Sequence, residues 1–170
     1  MSESPARFPV AEIDARWVTL DDDVMGGHSR SGVVVRDGVL TFSGMTSLED
    51  NGGFASIRAH GAFDLRDATA MRLRVRGDGR AYQLRLATDA RHRGSNVSWR
   101  GDFATRAQAW IEVTVAFAAM QPTYRGTVLD GPQLDLSKVE EIGLLIGDGR
   151  AGDFALDVEW IRPLHVARNA

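Results

Sequence analysis

The sequence predicts an all-β fold, two antiparallel sheets stacked as a sandwich or jelly roll. Helical spacing of apolar residues is nearly absent, whereas short apolar runs and strict alternations recur between Gly, Asp and Asn. The chain has 170 residues, 44% of them hydrophobic, and a domain of that size buries about 68–70% of its unfolded surface. One core is expected, in a single domain over residues 13–162, with a loosely held segment at 1–12 and a tail at 163–170 after Pro163.

The elements follow from turn chemistry. Residues 32–36 and 39–43 flank Asp37-Gly38, a pair that tolerates positive φ and predicts a two-residue hairpin. Further strands are expected at 54–58, 70–76, 80–87, 99–103, 110–117, 142–146 and 154–161. Gly77-Asp78-Gly79 reads as a second hairpin, joining 70–76 to 80–87, and a helical turn is expected at 135–139.

Side chains two apart on a strand share a face. Met71, Leu73 and Val75 are therefore expected inward, with Arg72, Arg74 and Arg76 outward. Tyr82, Leu84 and Leu86 point in, leaving Gln83 and Arg85 out. Trp110 falls outward, whereas Phe154, Leu156, Val158 and Trp160 fall inward. If these strands are neighbours, one outer face gathers Arg74, Arg85 and Trp110. It is either a set of cross-strand ion pairs or a shallow site for a polar or anionic ligand.

Composition narrows the function. The absence of cysteine excludes disulfides and zinc–cysteine sites. A net charge of −3 gives no general attraction to nucleic acid. No apolar run reaches the eighteen or so residues that span a bilayer, and residues 1–9 carry no secretory or transit pattern, so a cytoplasmic location is expected. The four histidines are scattered without metal spacing, and no nucleophile elbow occurs. No catalytic residue, metal or cofactor is assigned.

Two glycine-rich stretches stand out. Asp22, Gly26 and Gly27 lie in Asp21-Asp22-Asp23-Val24-Met25-Gly26-Gly27-His28-Ser29, which reads as a tight turn whose Asp22 accepts hydrogen bonds. In the second, Asn51, Gly52 and Gly53 predict a turn before a strand carrying Arg58. An inward Arg58 requires a buried acid, for which Asp22 is the candidate.

Asp22 to Ser29, Phe42 to Glu49, Asn51 to Arg58 and Arg76 to Tyr82 together resemble the complex I intermediate-associated protein 30 family. Trp110, Tyr124-Arg125-Gly126, Ile142-Gly143-Leu144 and Gly152-Asp153-Phe154 continue the likeness in the same order. The resemblance implies a galactose-binding-domain-like jelly roll. It also implies a respiratory complex I assembly factor that works through protein contacts without turnover. The expectation is thus a non-enzymatic module whose partner is another protein, possible alternatives being a carbohydrate or small polar ligand and, third, an enzyme of unknown reaction. Arg74, Arg85, Trp110 and Tyr124 are its candidate binding residues, the last two as rings that could stack on a sugar.

Overall fold

The computed structural model describes residues 6–22 and 27–165. Among them, thirteen strands form: β1 (Ala6–Val10), β2 (Ile13–Thr19), β3 (Arg30–Arg36), β4 (Val39–Thr46), β5 (Ala55–Phe63), β6 (Ala68–Arg76) and β7 (Ala81–His92), followed by β8 (Ser95–Ala104), β9 (Trp110–Ala116), β10 (Gln121–Tyr124), β11 (Thr127–Val128), β12 (Val139–Ile146) and β13 (Gly152–His165). No α-helix occurs among these residues. One layer runs β2-β5-β12-β7-β8-β10-β11, and the other contains β3-β4-β13-β6-β9. β1 joins them, antiparallel to β2 and parallel to β13.

The alternating apolar residues meet between the layers. Met71, Leu73, Val75, Tyr82, Leu84 and Leu86 are all buried in one core. Tyr82 of the first layer packs edge-on against Phe154 of the second at 6.4 Å, and Phe154 meets Phe42 at 4.8 Å. The expected hairpin at Asp37-Gly38 is present, with φ of 52° and 75° at the two positions and Arg36 paired to Val39.

Four local expectations change. The Gly77-Asp78-Gly79 segment is a crossing between layers and not a hairpin, because β6 pairs with β13 and β9 whereas β7 pairs with β8 and β12. Asp78 anchors the crossing by accepting from Tyr82 Oη, the Arg80 amide and the Ala155 amide. Trp160 is half-exposed and Ile161 buried, since a register shift between Val158 and Trp160 reverses the alternation. The expected helical turn at 135–139 is one residue shorter, a single turn over 135–138 closed by Asp135, whose side chain accepts from the Ser137 amide, because Val139 already begins β12. Both flanks of 13–162 carry strand: β1 buries Phe8 and Val10, and β13 runs on to His165. Pro9 and Pro163 interrupt the donor pattern by which such strands are read.

Asp22, 1% exposed, fastens the two glycine-rich stretches. Its carboxylate accepts from the Ser29 amide at 2.8 Å and Ser29 Oγ at 2.6 Å, and from the amides of Gly53 at 2.6 Å and Phe54 at 3.1 Å. A Cβ at Gly27 would stand 2.4 Å from Asp22 Cγ, and one at Gly52 2.7 Å from Asp22 Oδ2, so both positions require glycine. Gly26 lies outside the described residues. Asn51 ends the short 3-10 turn Glu49–Asn51, and the Gly52 amide donates back to the Glu49 carbonyl. Asp22 is not the partner of Arg58, because Ala55, Ile57 and Ala59 take the inward phase of β5 and Arg58 faces out.

Burial pushes the Asp22 carboxyl up, but the donors from Ser29, Gly53 and Phe54 outweigh it and hold the group below the usual 3.8. Its contribution to stability is therefore complete above pH 3.8 and is lost as the pH falls through the lower folded-state value. Asp22→Asn should destabilise the fold by about 2–4 kcal/mol in urea denaturation at neutral pH. The gap between variant and wild type should narrow below pH 4; a gap that does not depend on pH would contradict the assignment. Independently, a Cβ at Gly101 would sit 2.3 Å from Cγ1 of Val115 in the opposite layer. Gly101→Ala should thus lower stability by about 1–3 kcal/mol, and an unchanged denaturation midpoint would count against this packing.

Candidate functional site

The outward arginines fall on both layers, and the two sets differ in how they are neutralised. On the second layer, β6 lies between β9 and β13, both of which present acids. Arg72 reaches Glu112 at 2.8 Å, Arg74 reaches Glu159 at 2.7 Å and Arg76 reaches Asp157 at 2.8 Å. The Trp110 ring lies under the guanidiniums of Arg76 and Arg74, at 4.9 and 5.7 Å. These exposed pairs contribute about 0–1 kcal/mol each and leave each guanidinium matched to a carboxylate.

On the first layer, one register row crosses five strands and places Arg58, Gly143, Arg85, Arg100 and Gln121 side by side, with Val18 of β2 beyond Arg58. A Cβ on Gly143 would stand 3.5 Å from both the Arg58 and the Arg85 side chains, so the glycine leaves the two arginines room above the sheet. Arg58 pairs with Glu141 at 3.1 Å, and Glu141 lies 3.9 Å from His60 Nδ1. Arg100 pairs with Asp102 at 2.9 Å.

Arg85, between them, has no carboxylate partner among the described residues. Its Nη1 donates to Ser98 Oγ at 3.3 Å and Thr123 Oγ1 at 2.9 Å, while its Nε is buried without an acceptor. Two residues away on the same face, Gln83 is 6% exposed and its Oε1 has no donor. Burial, then the positive charges of Arg100 and Arg58, bring the Arg85 guanidinium down to about 10. It remains protonated at neutral pH.

The expected common surface of Arg74, Arg85 and Trp110 therefore does not form: Arg74 and Trp110 lie on the outer face of one layer and Arg85 on that of the other. The reason is the crossing at residues 77–79, which moves the chain from one layer to the other between Arg74 and Arg85. Tyr124, on β10, packs edge-on to His92 at 4.9 Å and lies against Arg125, apart from Trp110. Arg58, Arg100, Gln83 and Glu141 are the residues that complete the first-layer row. The outward phase of Gln83 and Arg100 is readable from alternation in β7 and β8, that of Arg58 and Glu141 is not, and the assembly of all four depends on β12 lying between β5 and β7.

Two surface clefts, of about 350 and 390 Å³, lie elsewhere. One is lined in part by Trp99, Phe117 and Leu134, the other in part by Phe63, Asp89 and Lys138. Among the described residues, no group of three or more His, Asp or Glu side chains could hold a metal, and no helix is long and apolar enough to cross a membrane.

Comparison with known proteins places this architecture. The fold is similar to the family 11 carbohydrate-binding module of Clostridium thermocellum in complex with a mixed-linked tetrasaccharide, with a TM-score of 0.68 at 12% identity, covering 99% of this chain and 100% of that one. It is also similar to part of the agarase AgWH50C, with a TM-score of 0.58 at 12% identity over 90% of this chain and 23% of the enzyme. At such identities the likeness establishes the β-sandwich alone. In sequence the chain is 25% identical over 168 residues to the mouse mitochondrial complex I intermediate-associated protein 30, covering 86% of this chain. It is 26% identical over 179 residues to the probable Caenorhabditis elegans counterpart, covering 91%. It spans about half the length of each, 51% and 52%. The family model described as complex I intermediate-associated protein 30 matches residues 7–158, and the chain belongs to that family.

Proposed function

We propose that this chain is a binding module without chemistry of its own, which holds a partner protein during assembly of a respiratory complex through the outer face of its first layer. The observation that carries the reading is the Arg58-Gly143-Arg85-Arg100 row, a polar surface with uncommitted positive charge on a domain of this family. The names of the mouse and worm relatives support the assembly role. Extended surfaces of this kind suit recognition of another macromolecule, whereas catalysis calls for converging titratable groups in a cleft.

The carbohydrate alternative is supported by the sandwich fold and opposed by the aromatics. Trp110 is covered by two guanidiniums on the opposite layer, and Tyr124 is engaged by His92. No ring occupies the central row of the first-layer face.

Arg100→Glu reverses a charge on this face, and Arg74→Glu does so on the other layer. Tagged protein expressed in its source organism should recover a respiratory-complex subunit by mass spectrometry. Recovery should fall by about tenfold or more with Arg100→Glu and persist with Arg74→Glu. Equal recovery by both variants would sink the surface assignment. Wild-type binding to a mixed-linked β-glucan in calorimetry, with no subunit recovered, would favour the sugar reading.

A further inference from the structure

We infer that Arg85 is the receptor for a carboxylate side chain on an acidic segment of the partner protein, with Arg58 and Arg100 on either side. The inference rests on the assembly reading above and specifies the chemistry of the same face.

Three guanidiniums stand in the row against two carboxylates, Glu141 and Asp102, each of which is held by a flanking arginine. One positive charge remains, and the pairing assigns it to Arg85. Two hydroxyls are the acceptors it has, both on Nη1, and Nε is covered by the fold, so Nη2 is the donor left for a ligand. A carboxylate accepts from a guanidinium nitrogen such as Nη2 in a charge-assisted hydrogen bond. A monoanion neutralises the surplus, whereas a doubly charged phosphate would overshoot it and meet Glu141 and Asp102 at the rim. Gly143 supplies the space, because any larger residue there would fill the gap between Arg58 and Arg85. Gln83 Oε1, buried without a donor on the same face, is a second polar atom there that the fold leaves unpaired.

Arg85 on this account is held in place by Ser98 and Thr123 and not by a carboxylate of its own fold. A guanidinium kept for structure would lower stability when removed. One kept for binding would not, because its desolvation is uncompensated until the partner arrives.

The test uses the whole chain and fluorescein-labelled hexaglutamate, with hexaglutamine as the neutral counterpart, followed by fluorescence anisotropy at about 0.15 M salt. Wild type should bind hexaglutamate in preference to hexaglutamine. Arg85→Gln should weaken that binding by about tenfold or more, with a thermal midpoint equal to or above that of wild type. Arg74→Gln, on the opposite layer, should leave peptide binding unchanged. The inference is overturned if wild type shows no preference, if Arg74→Gln weakens binding as much as Arg85→Gln, or if Arg85→Gln lowers the midpoint while peptide binding persists. Displacement of the peptide by equimolar inorganic phosphate would also overturn it, in favour of a phosphate ligand. Failure in this assay with face-dependent recovery of a respiratory-complex subunit intact removes the carboxylate assignment alone. Loss of that recovery removes the assembly reading beneath it.

Discussion

A single buried carboxylate, that of Asp22, fixes how the ends of the first-layer strands meet the second layer. It accepts from Ser29 just before β3 and from Gly53 and Phe54 just before β5. Its neighbour Asp21 accepts from Ser31 Oγ and the Ser56 amide, so two consecutive acids stitch the same pair of strands. β3 belongs to one layer and β5 to the other. The glycines around Asp22 follow from this arrangement, since a carboxylate that collects main-chain amides needs the main chain close enough to touch it. The most motif-like part of the sequence thus has a structural use, that of bringing two loops onto one carboxylate.

Strand order decides where recognition is possible. On the second layer β6 lies between two strands whose outward positions are acidic, and its three arginines are matched one to one. On the first layer the neighbour of both β5 and β7 is β12, and the residue it places in the row is glycine. Arg58 and Arg85 are consequently neighbours across a gap, with their like charges partly offset by Glu141 on one side. The same alternation rule generated both faces; the difference is what the intervening strand contributes.

That difference explains which features were legible in the sequence. Alternation over Met71 to Val75 and Tyr82 to Leu86 identified inward and outward side chains correctly, because period-two patterning is local and one face of each strand is buried. The two-sheet class followed from the same rhythm. Strand pairing was not legible: Gly77-Asp78-Gly79 announces a reversal of direction, but nothing in it says whether the next strand joins the same sheet. Arg74 and Arg85 were assigned to one surface for that reason. The phase of β13 was lost at one residue, where the irregularity beside Glu159 moved Ile161 into the core in place of Trp160. The pairing of Arg58 with Asp22 holds only for an inward Arg58, and the phase of a strand expected to begin Phe-Ala-Ser-Ile-Arg is ambiguous until its neighbours are known.

Two arginines on β7 and its approach give the clearest measure of what sets the recognition face apart. Arg80 is 8% exposed and meets Asp148 through two bonds of 2.6 and 2.9 Å. It also donates to the carbonyls of Arg150, Gly152 and Asp153 and to Thr46 Oγ1. Its charge is held more firmly than in water, with the Asp148 hydrogen bond as the main cause. Arg85, five residues on, is weakened as an acid-base group in the opposite sense by burial and by two neighbouring cations. A fold able to satisfy a buried guanidinium completely at one position leaves another incomplete at the centre of an open sheet face. Burial is common to both, so it does not account for the contrast; the supply of acceptors does. At Arg80 the fold provides them all, and at Arg85 the missing acceptor is the one a partner would bring.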